Sequence, residues 1–198
     1  MKILIACEFS GIVREAFRKK GHDVWSCDLL PSEIPGQHYQ GDVFEIINNG
    51  WDMMIGFPPC TFITVTANRA FLNNPERWKK RLYAMNFVYR LMNADIEKIC
   101  IENPVGVISS HIRKPDQYIQ PYEHGHIDSK KTGLWIKNLP LIKPTNIVEP
   151  EWVYPASGSG KRMSKTHANN PSTNSNKNAM LRSKTYQGIA NAMAEQWS

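Results

Sequence analysis

Apolar residues along this chain fall in short blocks separated by turn residues, and the blocks alternate with stretches of helical period. Lys2 to Phe9 is a nearly continuous apolar run, the pattern of a strand covered on both faces. Ser10-Gly11 is a turn. Ile12 to Lys20 has helical spacing, with Ile12, Val13, Ala16 and Phe17 on one face and Arg14, Lys19 and Lys20 on the other, and Gly21 stops it. His22 to Leu29 is a second strand that ends in Asp28. Strand, helix, strand in that order predicts a parallel pair with a right-handed crossover. Trp51 to Phe57 is the next strand, after a polar loop and Gly41-Asp42-Val43. Pro75 to Asn93 is the clearest helix, with Pro75 suited to its first turn. Its residues Trp78, Leu82, Met85, Tyr89 and Met92 recur every three or four positions and mark the expected core face. Lys79, Lys80 and Arg81 fall on the expected solvent face. Lys98 to Glu102 and Thr132 to Ile136 are two further strands, and Thr185 to Trp197 a closing helix. The expected fold class is α/β: a mostly parallel, twisted, Rossmann-like sheet with helices on both faces.

The segment after Pro150 breaks this alternation. Pro155 to Lys177 is rich in Gly, Ser, Asn, Pro and Thr, with Lys161, Arg162, Lys165 and Lys177 and no acidic residue. It reads as a long loop, either disordered or ordered on a phosphate backbone. The chain therefore divides into a main domain over 1–149, a basic loop segment over 150–184, and a helix over 185–198 that completes the main domain.

The 198 residues suffice for one domain with a real core. A net charge of +6 and a pI near 9.1 suit a polyanionic partner without requiring one. The four cysteines, Cys7, Cys27, Cys60 and Cys100, show no Cys-x-x-Cys spacing. That argues for a reducing compartment and against a zinc ribbon or a disulfide scaffold. No apolar run is long enough to cross a membrane, and the first residues begin a strand instead of a signal peptide. His124-Gly125-His126, with Glu123 and Asp128 nearby, lacks a third ligand at strong spacing, so no metal is expected.

Chemistry is concentrated at the ends of the predicted strands. Gly56-Phe57-Pro58-Pro59-Cys60 is a rigid loop carrying a thiol, and Ile99-Cys100-Ile101 runs into Glu102-Asn103-Pro104. A thiolate is a strong nucleophile and a nearby carboxyl can donate or share a proton. Gly11 after the first strand, Asp28 at the end of the second and Asp42 at the next fit an adenosine-type ligand. No Gly-Lys-Ser/Thr phosphate clamp accompanies them. S-adenosylmethionine is such a ligand.

Phe9-Ser10-Gly11, Asp28, Asp42, Pro58-Pro59-Cys60 and Glu102-Asn103-Pro104, in this order, resemble the motif series of the cytosine-5 DNA methyltransferases, and small phage and prophage members most of all. The resemblance covers about residues 1–110, with an echo at 185–197. It implies Cys60 as nucleophile and Glu102 as the carboxylate that holds the target base. It implies Phe9, Ser10, Gly11, Asp28, Asp42, Pro59 and Gly188 around the methyl donor, S-adenosylmethionine. The implied partner is double-stranded DNA and the implied location the cytoplasm of a bacterial or phage-infected cell. Four departures stand out. Val13 and Arg14 occupy places where small residues are common. Thr61-Phe62 follows the nucleophile in place of a polar pair. No arginine-bearing, base-gripping strand is recognisable, and Lys130-Lys131-Thr132 lies where a substitute could stand, with Lys131 the preferred residue. No large recognition domain is present, which leaves Lys161, Arg162 and Lys165 as candidate backbone contacts. Two other readings stay open: the same chemistry on RNA or a free cytidine nucleotide, and a catalytically silent nucleic-acid-binding protein.

Overall fold

A computed structural model describes residues 1–154, 162–164, 168 and 180–198, without the side chains of 66, 67 and 69. Its centre is a seven-stranded sheet in the order β3-β2-β1-β4-β5-β7-β6. The strands are β1 (Lys2–Ala6), β2 (Asp23–Asp28), β3 (His38–Gln40), β4 (Met53–Gly56), β5 (Lys98–Pro104), β6 (Gln117–Ile119) and β7 (Thr132–Lys137). β1 to β5 pair in parallel, while β7 runs antiparallel to both β5 and β6. The fold is thus the mostly parallel, Rossmann-like α/β class that the alternation of blocks predicts. β3 and β6 are too short to show a period of their own.

Register explains the sheet's two cores. Ile3 pairs with Val24 and Met53, and Ile5 with Ile55. Their side chains share one face, where Val13, Ala16 and Phe17 of α1 (Ile12–Arg18) meet Ile189, Met193 and Trp197 of the C-terminal helix. Leu4, Ala6, Met54, Ile99 and Ile101 point to the opposite face, onto Val88 and Leu91 of α2 (Pro75–Met92) and Ile108 of α3 (Ile108–His111). Burial on both sides is why these strands read as unbroken apolar runs.

The C-terminal helix, α4 (Gln187–Trp197), closes the first of these faces against α1. Before it, β8 (Trp152–Val153) and β9 (Met163–Ser164) form a separate antiparallel ribbon. The expected loop over Pro155 to Lys177 falls mostly outside the described residues, as do Lys161 and Lys165.

Two helices depart from expectation in part, each burying an arginine that the pattern places outside. On α2, Trp78, Leu82 and Tyr89 are 48%, 68% and 54% exposed, whereas Arg81 is 6% exposed and lies inside with Val88 and Leu91. The Arg81 guanidinium is satisfied there. Its Nε donates to Phe62 O at 2.7 Å, an Nη donates to Asn68 Oδ1 at 2.8 Å, and the group lies 3.6 Å from the Phe71 ring centroid. On α1, Arg14 is fully buried. It donates to Glu15, Ser26 and Ser32 side chains and to the carbonyls of Ile34 and Pro35. Arg14 thereby ties the loop after β2 to α1, using the full donor set of a guanidinium. A buried charge is tolerated when its hydrogen bonds are made.

Gly188 shows how tightly α4 is seated. A Cβ there would lie 1.8 Å from His124 O, and its N–H donates to His126 Nε2 at 2.9 Å. Gly188→Ala must push the helix off the 121–128 loop. Overpacking of this kind costs about 1–3 kcal/mol, so a melting temperature lower by roughly 2–12 °C is expected by calorimetry.

Candidate active site

Parallel strands deliver their C-terminal ends to one edge of the sheet, and the expected site residues lie there. Ala6 of β1 is in register with Cys27 of β2 and Gly56 of β4, and Gly56 with Ile101 of β5. Phe9-Ser10-Gly11 follows β1, Asp28 ends β2, Asp42 follows β3, the Pro-Pro-Cys loop follows β4, and Glu102 lies near the end of β5.

The Cys60 loop is fastened to β5. Asn103 Nδ2 donates to Pro58 O at 2.8 Å, which fixes the proline pair beside Glu102. The Cys60 carbonyl accepts from Ile63 N and Thr64 N at 3.0 and 3.1 Å, so the chain turns immediately after the thiol. Val107 N then donates to Ile63 O at 2.8 Å. Gly106 makes this crossing possible, because a Cβ at that position would sit 2.1 Å from Ile63 O. Neither Gly106 nor Asn103 stands out in the hydrophobic pattern. Asn103 belongs to the Glu102-Asn103-Pro104 run singled out above, whereas Gly106 carries no signal beyond following it.

Cys60 lies close enough to Glu102 to feel its charge. Burial pushes the Cys60 thiol up from its ordinary value, and the Glu102 charge pushes it further. Lys130 and Arg182 pull it back down. The Glu102 carboxyl is also raised, by burial, with Lys130 and a hydrogen bond from the Thr132 side chain opposing. The site thus holds one thiol, one carboxyl disposed to keep a proton, and cations from two separate segments.

Lys130 is the lysine beside the carboxylate, whereas Lys131 lies 4.2 Å from the Tyr118 ring centroid on the exposed side of the strand. Preferring Lys131 over Lys130 is therefore not supported by the geometry around Glu102. One residue shifts the side chain to the other side of an extended chain. Lys130 Nζ donates to Arg182 O at 3.1 Å. Two residues on, Lys184 pairs with Glu33 at 2.6 Å. Residues 182–184 therefore tie the start of β7 to the loop after β2, across the edge where the site lies. Arg182 belongs to a segment without a distinctive motif, so nothing in the sequence pointed to it. Arg162 is described, with its guanidinium 4.2 Å from the Trp152 ring centroid on the β8–β9 ribbon.

The side chains on the β1–β3 side suit an adenosine-type ligand. Asp28 Oδ1 accepts from Leu30 N at 2.9 Å, and burial raises its carboxyl. Asp42 Oδ1 accepts from Phe44 N at 3.0 Å. Each carboxylate thus holds its own turn through Oδ1. Glu8 is buried, with Oε1 taking Ser10 Oγ and Val13 N at 2.8 and 3.0 Å. Its Oε2 is buried with no hydrogen-bond partner, and burial raises the carboxyl. Acceptors at successive strand ends and an orphaned buried carboxyl oxygen fit a ligand with hydroxyl and amino donors. Pro59 is exposed at the loop tip, and Gly188 is taken up in packing against His124. Among the described residues no group of three His, Cys, Asp or Glu side chains could hold a metal ion, and no helix is long and apolar enough to cross a membrane.

No family model and no curated protein matches this chain. Among solved structures, one similar chain is a candidate DNA modification methyltransferase encoded within a prophage of E. coli. It is 18% identical, with a TM-score of 0.48 over 74% of this chain and 51% of that one. The chain thus spans about half the length of that protein.

Proposed function

We propose that this protein is an S-adenosylmethionine-dependent methyltransferase that methylates C5 of cytosine in DNA through a covalent Cys60 adduct. The observation that carries the reading is that the Cys60 loop, tied at Pro58 O to Asn103 beside Glu102, lies on the sheet edge that also holds Asp28 and Asp42.

Cytosine C5 is a poor nucleophile. Attack of the Cys60 sulfur on C6 forms a C–S bond and moves electron density onto C5, while Glu102 at N3 and the exocyclic amine offsets the charge that develops. The donor supplies an electrophilic methyl group to C5. Loss of the C5 proton to solvent water then restores the C5–C6 double bond and expels the thiolate. Asp28 would hold the donor's ribose and Asp42 its adenine amino group, with Phe9, Ser10 and Gly11 at the first turn. Lys130, beside Glu102, stands in for the missing base-gripping arginine.

The electrostatics give this sequence an order. With Glu102 ionised and the pocket empty, the thiol is held up by burial and by the neighbouring charge. A protonated Glu102 that donates a hydrogen bond to N3 removes this like charge from beside the sulfur, leaving Lys130 and Arg182 to oppose the effect of burial. Part of the penalty on the thiolate is thereby relieved when a base is in place. The base must leave the stack to reach the site, at a cost of a few kcal/mol.

Transfer of label from methyl-tritiated donor to duplex DNA, RNA and free cytidine nucleotides tests the reading. Label is expected at cytosine C5 of DNA. Label confined to RNA or nucleotide would keep the chemistry and change the substrate. Donor binding without transfer to any of the three would favour a silent binding protein.

A further inference from the structure

A second group of cations lies on α2, just downstream of the nucleophile, and the mechanism does not use it. Phe62, Asn74, Glu76, Arg77 and Lys80 line a cavity of about 230 Å³. The Arg77 guanidinium lies 5.1 Å from the Phe62 ring centroid and 5.0 Å from that of Phe71. Lys80 Nζ lies 5.8 Å from the Phe62 centroid. These rings orient the cations without satisfying them. Arg77 Nε is buried with no hydrogen-bond partner, and neither Arg77 nor Lys80 has an ion-pair partner among the described residues. The other polar groups are occupied. Asn74 Oδ1 accepts from Arg77 N at 3.0 Å, and Glu76 pairs with Lys79 at 2.7 Å.

We infer that this cavity binds a backbone phosphate of the DNA strand that carries the target base, a proposal that rests on the function proposed above. A half-buried guanidinium backed by aromatic rings and lacking an acceptor is a built receptor for a tetrahedral oxyanion. Lys80 adds a second charge from the next turn of the helix. Phe62 is two residues from Cys60, so its Cα lies within roughly 7 Å of the nucleophile's Cα. Both groups can therefore act on one strand. Glu76 on the rim selects among phosphates. Its charge repels a doubly charged free phosphate more than a singly charged diester, which favours a nucleic-acid backbone over inorganic phosphate or a terminal phosphate group.

The test is direct DNA binding by fluorescence anisotropy across a salt series, on duplexes of three unrelated sequences, with donor affinity measured by calorimetry as a check of fold. Arg77→Gln with Lys80→Gln should weaken binding to all three sequences alike. It should reduce the slope of log K against log salt by about 0.9, the value for a single phosphate that is no longer neutralised. Donor affinity should be unchanged. Lys80→Gln alone, at an exposed position, should give part of the loss and secures the result if the double variant folds poorly. Lys79→Gln, which removes a cation already paired with Glu76, should change the slope less. A double variant with the wild-type slope would overturn the pocket and leave the proposed function standing. An equal effect from Lys79→Gln would overturn it in favour of diffuse charge. Absence of DNA binding by the wild type would sink this proposal and the function together.

Discussion

Replacing the Cys60 thiol with a hydroxyl, Cys60→Ser, is expected to lower methyl transfer by roughly 10⁴-fold or more, within the range seen when a covalent nucleophile is removed. An alcohol is far less ionised than a thiol near neutral pH, so attack on C6 fails at its first step. Donor binding should survive. Asp28 and Asp42 follow other strands, and the loop's anchors, Asn103 to Pro58 and Val107 to Ile63, do not involve sulfur. Duplex DNA containing 5-fluorocytosine should trap wild type as a covalent adduct and leave the serine variant free, as read on a denaturing gel. Full transfer by the variant would mean that the nucleophile lies elsewhere.

The second large effect is expected at Glu102, and it has two readouts that move in opposite directions. Glu102→Gln removes the group proposed to share a proton with the base, so methyl transfer should fall by about 10²–10³-fold. The same change removes the like charge that helps hold the Cys60 thiol up, while Lys130 and Arg182 remain. The thiol pKa should fall, and iodoacetamide should alkylate Cys60 faster at a given pH. In wild type the alkylation rate should climb as rising pH forms the thiolate, and in the variant that climb should begin at lower pH. Slower alkylation in the variant, or an unchanged profile, would show that the two groups are not coupled.

Much of the fold was legible because both faces of the sheet are buried. Ile3 to Ala6, Met53 to Ile55 and Ile99 to Ile101 are apolar without interruption, and each ends at a polar residue or turn that marks the functional edge. Thus the Cys60 loop could be assigned to follow one strand and Glu102 to the end of the next from the pattern alone. What escaped notice depended on partners distant in sequence. Arg81 looked like a surface residue because a hydropathy pattern cannot register that Phe62 O, Asn68 and the Phe71 ring will satisfy it. Arg14 escaped for the same reason, since its acceptors lie on β2 and in the loop beyond it. Burying Arg81 goes with Trp78, Leu82 and Tyr89 on the outside of the same helix, while Met85 and Met92 keep the expected contact with the core. Lys130 and Lys131 were indistinguishable by composition. Only the register of the chain entering β7 decides which of them meets Glu102.

The packing of α4 on α1 also sets the order in which the molecule can mature. Residues that cover the Leu4 and Met54 face are synthesised as one neighbourhood, from the turn after β3 to β7. The Ile3 and Ile5 face has only α1 as local cover. Its closing contacts, including the Lys20 to Glu195 pair at a separation of 175 residues, need a helix made long after the strands it shields. Distant contacts form late because the intervening chain must first be brought to order. A chain made without α4 would have one finished side and one side covered by α1 alone, with apolar surface open beside Val13 and Phe17 where a chaperone or a wrong neighbour could bind.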